Sequence, residues 1–132
     1  MGNRSIVQPV ALTFGVIYLV AGILGFFTVF GGSATLTSKS LFNLFPVNLV
    51  HNLVHVVIGV AGLAAASDVR NARTYCQVFA IVLLVLGLLG FLSPHPLGLL
   101  YLGGADIALH LVSGALLAYV GFGLPLAIRS RR

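Results

Sequence analysis

The stretch Asn48–Gly59 reads NLVHNLVHVVIG, with two histidines four residues apart and an asparagine three residues before each. A helix through this stretch would bring Asn48, His51, Asn52 and His55 together, because residues three and four apart are neighbours on a helix. The other residues of the stretch are aliphatic or glycine. Since burying an unpaired polar group is costly, the solvent around the stretch decides what these side chains are for.

Composition indicates that this solvent is lipid. Hydrophobic residues make up 59% of the 132 residues, charged residues only 7%, and the mean hydropathy is +1.12. A soluble domain carries about a quarter charged residues, so this chain does not have enough charge to cover a water-exposed surface. We therefore expect a single domain whose main partner is the lipid bilayer.

Four apolar segments approach the length of about 20 residues that a helix needs to cross a bilayer. We predict an all-α membrane protein whose single domain, residues 1–132, has transmembrane helices at about 8–30, 47–66, 73–92 and 104–128. The first apolar run, Val10–Phe30, is longer than the roughly 7–15 residues of a signal-peptide core, so we expect it to be retained.

The basic residues predict an orientation. Seven Lys and Arg residues stand against two acids, and all but Lys39 fall on one side of the four predicted helices: Arg4, Arg70, Arg73, Arg129, Arg131 and Arg132. Positive residues favour the cytoplasmic side, which predicts that both termini are cytoplasmic. The basic charge is then a topology signal, and we expect no binding to nucleic acid.

The chain also contains an internal repeat. LVAGILGFF at Leu19–Phe27 matches LVLGLLGFL at Leu84–Leu92, and HVVIG at His55–Gly59 matches HLVSG at His110–Gly114. Two matches in the same order indicate a duplicated hairpin of two helices. The predicted repeats are residues 8–66 and 73–128. Because both hairpins run in the same direction, they predict a pseudo-twofold axis along the membrane normal.

The repeat brings the ionisable residues into correspondence. His55 corresponds to His110, and His51 corresponds to Asp106, one of only two acids in the chain. With the predicted orientation, all four lie in the outer half of the bilayer, His51 and Asp106 about one turn shallower than the other pair. An ionisable residue inside a membrane is a functional-site hypothesis by default.

Two motifs carry a resemblance to a known family. VNLVHNLVHVVIGVAGLAAA, beginning at Val47, and GGADIALHLVSG, beginning at Gly103, resemble a bacterial family of small four-helix membrane proteins described as a domain of unknown function. The resemblance covers most of the chain, and the N-x2-H-N-x2-H motif is its most specific part. It implies four spans in a bacterial plasma membrane, and it implies no activity.

The same residues permit a site for a metal ion. His51 and His55 share a helix face, as do Asp106 and His110, so three imidazoles and a carboxylate can converge. Such a donor set suits zinc, copper, iron or nickel. Further polar residues would orient these ligands through hydrogen bonds: Asn48, Asn52 and Ser113.

A b-type haem is the function that the sequence favours slightly over a bare metal. His55 and His110 would be the two axial ligands, approaching the iron from opposite helices. Four glycines would give the porphyrin clearance on the other two helices: Gly22, Gly25, Gly87 and Gly90. The arrangement looks like the histidine-bearing helices of b-type cytochromes, without a shared sequence motif, and indicates electron transfer.

A third reading is structural. The polar residues would satisfy each other and set the register of the helices, and the protein would be a subunit of a homo-oligomer or a larger membrane complex. The sequence lacks a nucleophile elbow, a phosphate loop and an HExxH motif, so enzymatic activity is left open and is the less favoured outcome.

The predicted orientation is testable by labelling intact cells. A cysteine introduced at Lys39 should react with a membrane-impermeant maleimide added outside, and one at Arg70 should not, because positive residues stay inside. The unsubstituted chain, whose single cysteine is Cys76, is the background control. The reverse pattern of labelling would show the opposite orientation, with the histidines in the cytoplasmic half of the membrane.

Overall fold

The computed structural model describes residues 5–30, 39–41 and 45–125. The four helices are α1 (Val7–Phe30), α2 (Leu49–Ala65), α3 (Val69–Leu92) and α4 (Ala105–Ala118), and a π-helical turn at Tyr119–Gly123 continues α4. Two short antiparallel strands, β1 (Lys39–Leu41) and β2 (Phe45–Val47), precede α2. A 3-10 turn at Pro96–Gly98 lies between α3 and α4. The four helices of the predicted all-α protein are confirmed, and the short pair of strands was not predicted.

Three of the helical segments are long and apolar enough to cross a membrane: Val7–Phe27, Val69–Leu92 and Ala105–Gly123. Helix α2 is apolar but has only 17 residues, which corresponds to about 26 Å of helix, somewhat less than the bilayer core of about 30 Å. The bilayer environment is thus supported, while a fourth full span stays a prediction.

Side chains are sorted as expected for helices in lipid. Large aliphatic residues lie on the outer faces, for example Ile17, Val57 and Leu88, which are 49%, 62% and 58% exposed. The interior contains small residues and a group of buried polar side chains. Membrane helices use small residues to approach each other closely. The buried polar groups therefore lie inside the bundle, between closely packed helices.

A side-chain cap sets the beginning of α3. The Asp68 carboxylate accepts hydrogen bonds from the backbone N–H groups of Arg70 (2.9 Å) and Asn71 (3.0 Å), as an N-cap residue does. Helix α3 therefore begins at Val69, four residues before its predicted start. Arg70, which precedes the predicted helix at 73–92, and Arg73, its first predicted residue, both lie in the first turns of α3.

The two helices of each hairpin meet through glycine. A Cβ atom added to Gly62 would lie 2.7 Å from Gly15 Cα, and one added to Gly59 would lie 2.5 Å from the Leu19 nitrogen. Helices α1 and α2 thus touch backbone to backbone. Helix α3 packs mainly on α4, where a Cβ on Gly114 would lie 2.7 Å from Leu84 Cγ.

Glycine contacts in the two hairpins involve residues that the repeat alignment equates. The pairs in the first hairpin are Gly22 with Val56, Gly25 with Asn52, and Gly59 with Leu19; those in the second are Gly87 with Leu111, Gly90 with Ile107, and Gly114 with Leu84. Between hairpins, the backbones of α1 and α3 approach each other, whereas α2 and α4 meet mainly through side chains.

Most of the basic residues behind the predicted orientation lie outside the described residues: Arg4, Arg129, Arg131 and Arg132. The last three residues of the predicted fourth helix, 126–128, lie outside them as well. The orientation therefore remains a prediction.

The α1–α2 contact gives a direct test of the packing. We expect Gly62→Val to lower the free energy of unfolding in detergent by about 1–3 kcal/mol, because the added side chain meets backbone that has no room to move. The control is Ala64→Val, which places the same side chain on an exposed part of α2 and should leave stability nearly unchanged. Equal melting temperatures for the two variants would contradict the close contact.

Candidate metal centre

Helix α2 carries its polar residues into the core. Asn48, His51, Asn52 and His55 are all buried, with exposed fractions of 0%, 2%, 0% and 4%. Asn48 is the N-cap residue, and its side-chain oxygen accepts a hydrogen bond from the His51 backbone N–H at 2.8 Å. The cap fixes where α2 begins.

Helix α4 brings its polar residues to the same place from the other hairpin. The chain enters α4 through Gly104, whose φ of 55° and ψ of −135° form a combination that a side chain disfavours. This turn places Asp106 in the first turn of the helix, where the helix dipole favours a negative charge. Asp106 and His110 are each 1% exposed, and Ser113 is 5% exposed.

Four side chains converge between these helices. His51 Nε2 lies 3.1 Å from His55 Nε2 and 3.6 Å from Asp106 Oδ1. His110 Nδ1 lies 3.4 Å from Asp106 Oδ2. One ligand atom from each of the four residues can be chosen so that all lie within 4.8 Å of one another. We call these four residues, His51, His55, Asp106 and His110, the histidine–aspartate cluster.

The three imidazole rings form one group. The centroids of His51 and His55 are 4.5 Å apart, those of His51 and His110 are 5.9 Å apart, and those of His55 and His110 are 6.0 Å apart. His51 and Asp106 were predicted about one turn shallower than the other two. Their side chains nevertheless reach the same point, because long side chains span the rise of one helical turn.

Backbone carbonyls of the segment between α3 and α4 hold the start of α2. His51 Nδ1 donates a hydrogen bond to the Tyr101 carbonyl at 2.9 Å, and Asn48 Nδ2 donates to the Leu99 carbonyl at 2.8 Å. With Nδ1 carrying the proton, the neutral His51 ring presents the lone pair of Nε2 to the cluster. Sequence reasoning missed both carbonyls, since any residue can supply one.

Two polar atoms of the cluster are buried without hydrogen bonds. Asp106 Oδ2 and His110 Nδ1 have no hydrogen-bond partner within the described residues. Buried polar atoms are nearly always paired, and both atoms are good metal ligands. The two atoms lie 3.4 Å from each other, so the cluster holds a close carboxylate–imidazole pair that makes no hydrogen bond of good geometry in the described part of the chain.

The second predicted asparagine lies elsewhere. The Asn52 side chain packs on Gly25, where an added Cβ would overlap its amide. Within the described part of the chain, neither polar atom of this amide has a hydrogen-bond partner. Asn52 therefore makes no hydrogen bond to the four ligands there, in contrast to Asn48, which holds the His51 backbone.

The four glycines assigned to porphyrin clearance are packed against neighbouring helices. Gly22 meets Val56 and Gly25 meets Asn52 in the first hairpin, while Gly87 meets Leu111 and Gly90 meets Ile107 in the second. Each glycine therefore serves the close approach of two helices within a hairpin, which is a common use of glycine in membranes.

Tyr18 is a site neighbour that the sequence analysis did not single out. Its ring contacts that of His55 edge to face, with centroids 5.2 Å apart at 78°, and only 1% of the residue is exposed. Its place among the small residues Ala11, Gly15 and Gly22, at helical spacing, was the available signal. His95 is exposed and its ring packs on Tyr101, so it is separate from the four ligands.

Comparison with known protein families identifies the family to which the chain belongs. The sequence model of the domain of unknown function DUF4383 matches residues 8–123. The chain belongs to this family. Comparisons with curated proteins and with solved structures found no match. Membership agrees with the resemblance noted from the two motifs and leaves function to be argued from the site.

The hydrogen bonds of Asn48 predict a graded loss of stability. Asn48→Ala should lower the free energy of unfolding by about 1–3 kcal/mol, because the cap is lost and the Leu99 carbonyl loses its donor. Asn48→Ser should cost less, since serine is also a good cap. Thermal unfolding in detergent measures both, with Ser67→Ala at an exposed hydroxyl as the control. Equal losses for serine and alanine would show that the cap contributes nothing.

Proposed function

We propose that this membrane protein binds one transition-metal ion through the histidine–aspartate cluster. The observation that carries the proposal is the convergence of four buried ligand atoms within 4.8 Å of one another. Three imidazole nitrogens and one carboxylate oxygen suit zinc, copper, iron or nickel. Exposed acidic groups often gather without a metal, but these four groups are buried in a chain with only two acids.

The distances fit a single ion. Ligands about 2.0–2.1 Å from a tetrahedral metal are about 3.3 Å apart from each other. Three of the observed separations, 3.1, 3.4 and 3.6 Å, are close to this value, and one ligand atom from each residue can be chosen so that all lie within 4.8 Å of one another. The four ligands would have to draw together around an ion.

Support also comes from the groups around the ligands. A metal-binding histidine usually donates its other ring N–H to a carbonyl or carboxylate, which fixes its tautomer and orientation. His51 has this bond to the Tyr101 carbonyl. An ion would also bind Asp106 Oδ2 and His110 Nδ1, which lie 3.4 Å apart without a hydrogen bond of good geometry in the described residues.

Haem b, with His55 and His110 as axial ligands, is the alternative, and the geometry favours the bare metal over it. A porphyrin between these two rings would occupy the space where the His51 ring lies, 4.5 Å from His55 and 5.9 Å from His110. The glycines on α1 and α3 offer it no clearance, because Gly22 and Gly87 already pack on Val56 and Leu111.

We propose further that the two hairpins, residues 8–66 and 73–128, are related by a pseudo-twofold axis along the membrane normal. The matching glycine contacts of the two hairpins support this relation. With both termini cytoplasmic, as the basic residues favour, and with α2 as a fourth span, the metal lies in the outer half of a bacterial plasma membrane.

Metal titration of the purified protein tests the proposal. We expect one Co²⁺ or Zn²⁺ per chain by calorimetry and elemental analysis, and a loss of affinity of at least about 100-fold for each ligand variant, since even groups behind the ligands contribute 10–100-fold. The variants are His51→Ala, His55→Ala, Asp106→Asn and His110→Ala. His95→Ala, at an exposed histidine outside the cluster, should bind metal like the wild type.

The same variants separate the alternatives. A haem protein shows a Soret band that His55→Ala and His110→Ala abolish or shift, while His51→Ala and Asp106→Asn retain the cofactor and change its potential. A preparation without metal or haem, in which no variant changes anything, would leave the cluster as polar packing in a structural subunit.

A further inference from the structure

Two buried residues with hydroxyl groups are neighbours of the histidine–aspartate cluster. Ser113 follows His110 by three residues, so it lies on the same face of α4, one turn further along. The Tyr18 ring of α1 contacts His55 edge to face. The Tyr18 hydroxyl lies beside Ser113 and is close enough to Asp106 to interact with it electrostatically.

The Tyr18 hydroxyl is an unused donor. Tyr18 is 1% exposed and Ser113 is 5% exposed, and the Tyr18 hydroxyl makes no hydrogen bond of good geometry within the described part of the chain. A buried hydroxyl nearly always has a partner, because leaving it unpaired costs about 1–3 kcal/mol. The Tyr18 hydroxyl, with Ser113 beside it, is therefore available to donate to an acceptor bound at the cluster.

The internal repeat provides a control for this argument. The residues equivalent to Tyr18 and Ser113 are Leu83 and Ile58, which are also buried, at 0% and 1% exposure. At both positions the bundle is thus filled by an aliphatic side chain in one hairpin and by a hydroxyl in the other. Packing alone does not require the hydroxyls, and they occur on the side of the cluster that Tyr18 lines.

We propose that Tyr18 and Ser113 form a binding site for a small anion coordinated to the metal, of the size of hydroxide, azide or cyanide. The inference rests on the proposed metal site. The anion would join the four protein ligands as a fifth, an expansion of the coordination number that zinc sites can undergo, and the two O–H groups would donate hydrogen bonds to it. Such bonds to a charged acceptor are strong in a dry interior.

Azide titration of the Co²⁺-loaded protein tests the proposal. We expect azide to change the visible absorption of the bound Co²⁺ in the wild type. Tyr18→Phe should weaken azide binding about tenfold, which corresponds to one hydrogen bond to an anion, and Ser113→Ala should weaken it by a smaller factor. Both variants should bind Co²⁺ itself with nearly wild-type affinity, because neither side chain is a ligand.

Tyr75→Phe is the matched control. Tyr75 is also buried, and its hydroxyl also lacks a hydrogen-bond partner within the described residues. Its ring lies beside Gly62, towards the other end of α2, and it is close enough to Tyr18 to interact with it electrostatically, so this control separates a hydroxyl next to Tyr18 from the Tyr18 hydroxyl itself. Loss of this hydroxyl should leave the affinity for azide unchanged.

The outcomes are separable. A wild-type protein that binds Co²⁺ but shows no response to azide would overturn the anion site and leave the metal site standing. Equal azide affinity in Tyr18→Phe and wild type would overturn the role of Tyr18. A Tyr18→Phe variant that loses Co²⁺ as strongly as azide would assign the tyrosine to structure. Absence of Co²⁺ binding would overturn both proposals together.

Discussion

A carboxylate and three imidazoles buried inside a lipid-embedded bundle are the constraint on which the rest of the structure depends. A buried charge inside a membrane is costly without a partner, so Asp106, which is 1% exposed in the first turn of α4, needs compensating partners. His51 and His110 stand 3.6 and 3.4 Å from its two oxygens. Helices α2 and α4 must therefore present these side chains to each other at one depth.

The rest of the bundle serves that alignment. Glycines at 15, 59 and 62 bring α1 and α2 into backbone contact, which makes the first hairpin a rigid support for two of the histidines. The segment between α3 and α4 then joins the hairpins, because its carbonyls at Leu99 and Tyr101 accept hydrogen bonds from Asn48 and His51. The polar centre is thus held by both its ligands and the backbone beside them.

Haem binding, polar packing and metal binding each require a different geometry of the cluster. A haem needs a flat space between two opposed histidines, a polar packing cluster needs its hydrogen bonds closed internally, and a metal site needs unused lone pairs converging on one point. The cluster brings four potential ligand atoms within 4.8 Å of one another, and two of its atoms make no hydrogen bond of good geometry among the described residues. The proposed metal site rests on this convergence. Tyr18 and Ser113 carry hydroxyl groups, whereas their repeat equivalents, Leu83 and Ile58, are aliphatic. This difference indicates the side from which a further ligand would approach the proposed metal.

Composition and periodicity by themselves determined the membrane environment, the four helices and the inward faces of α2 and α4, because lipid selects apolar surfaces and a helix repeats every 3.6 residues. They also paired His55 with His110 through the repeat. Only the tertiary structure showed that the side chains of His51 and Asp106 converge with those of His55 and His110. It also showed that neighbouring side chains occupy the space beside Gly22 and Gly87. It also identified the Tyr101 carbonyl as the partner of His51. The reason is physical. Periodicity fixes the direction of a side chain around its own helix. The distance of that side chain from another helix depends on how closely the two backbones cross, and residues in both hairpins together set this crossing.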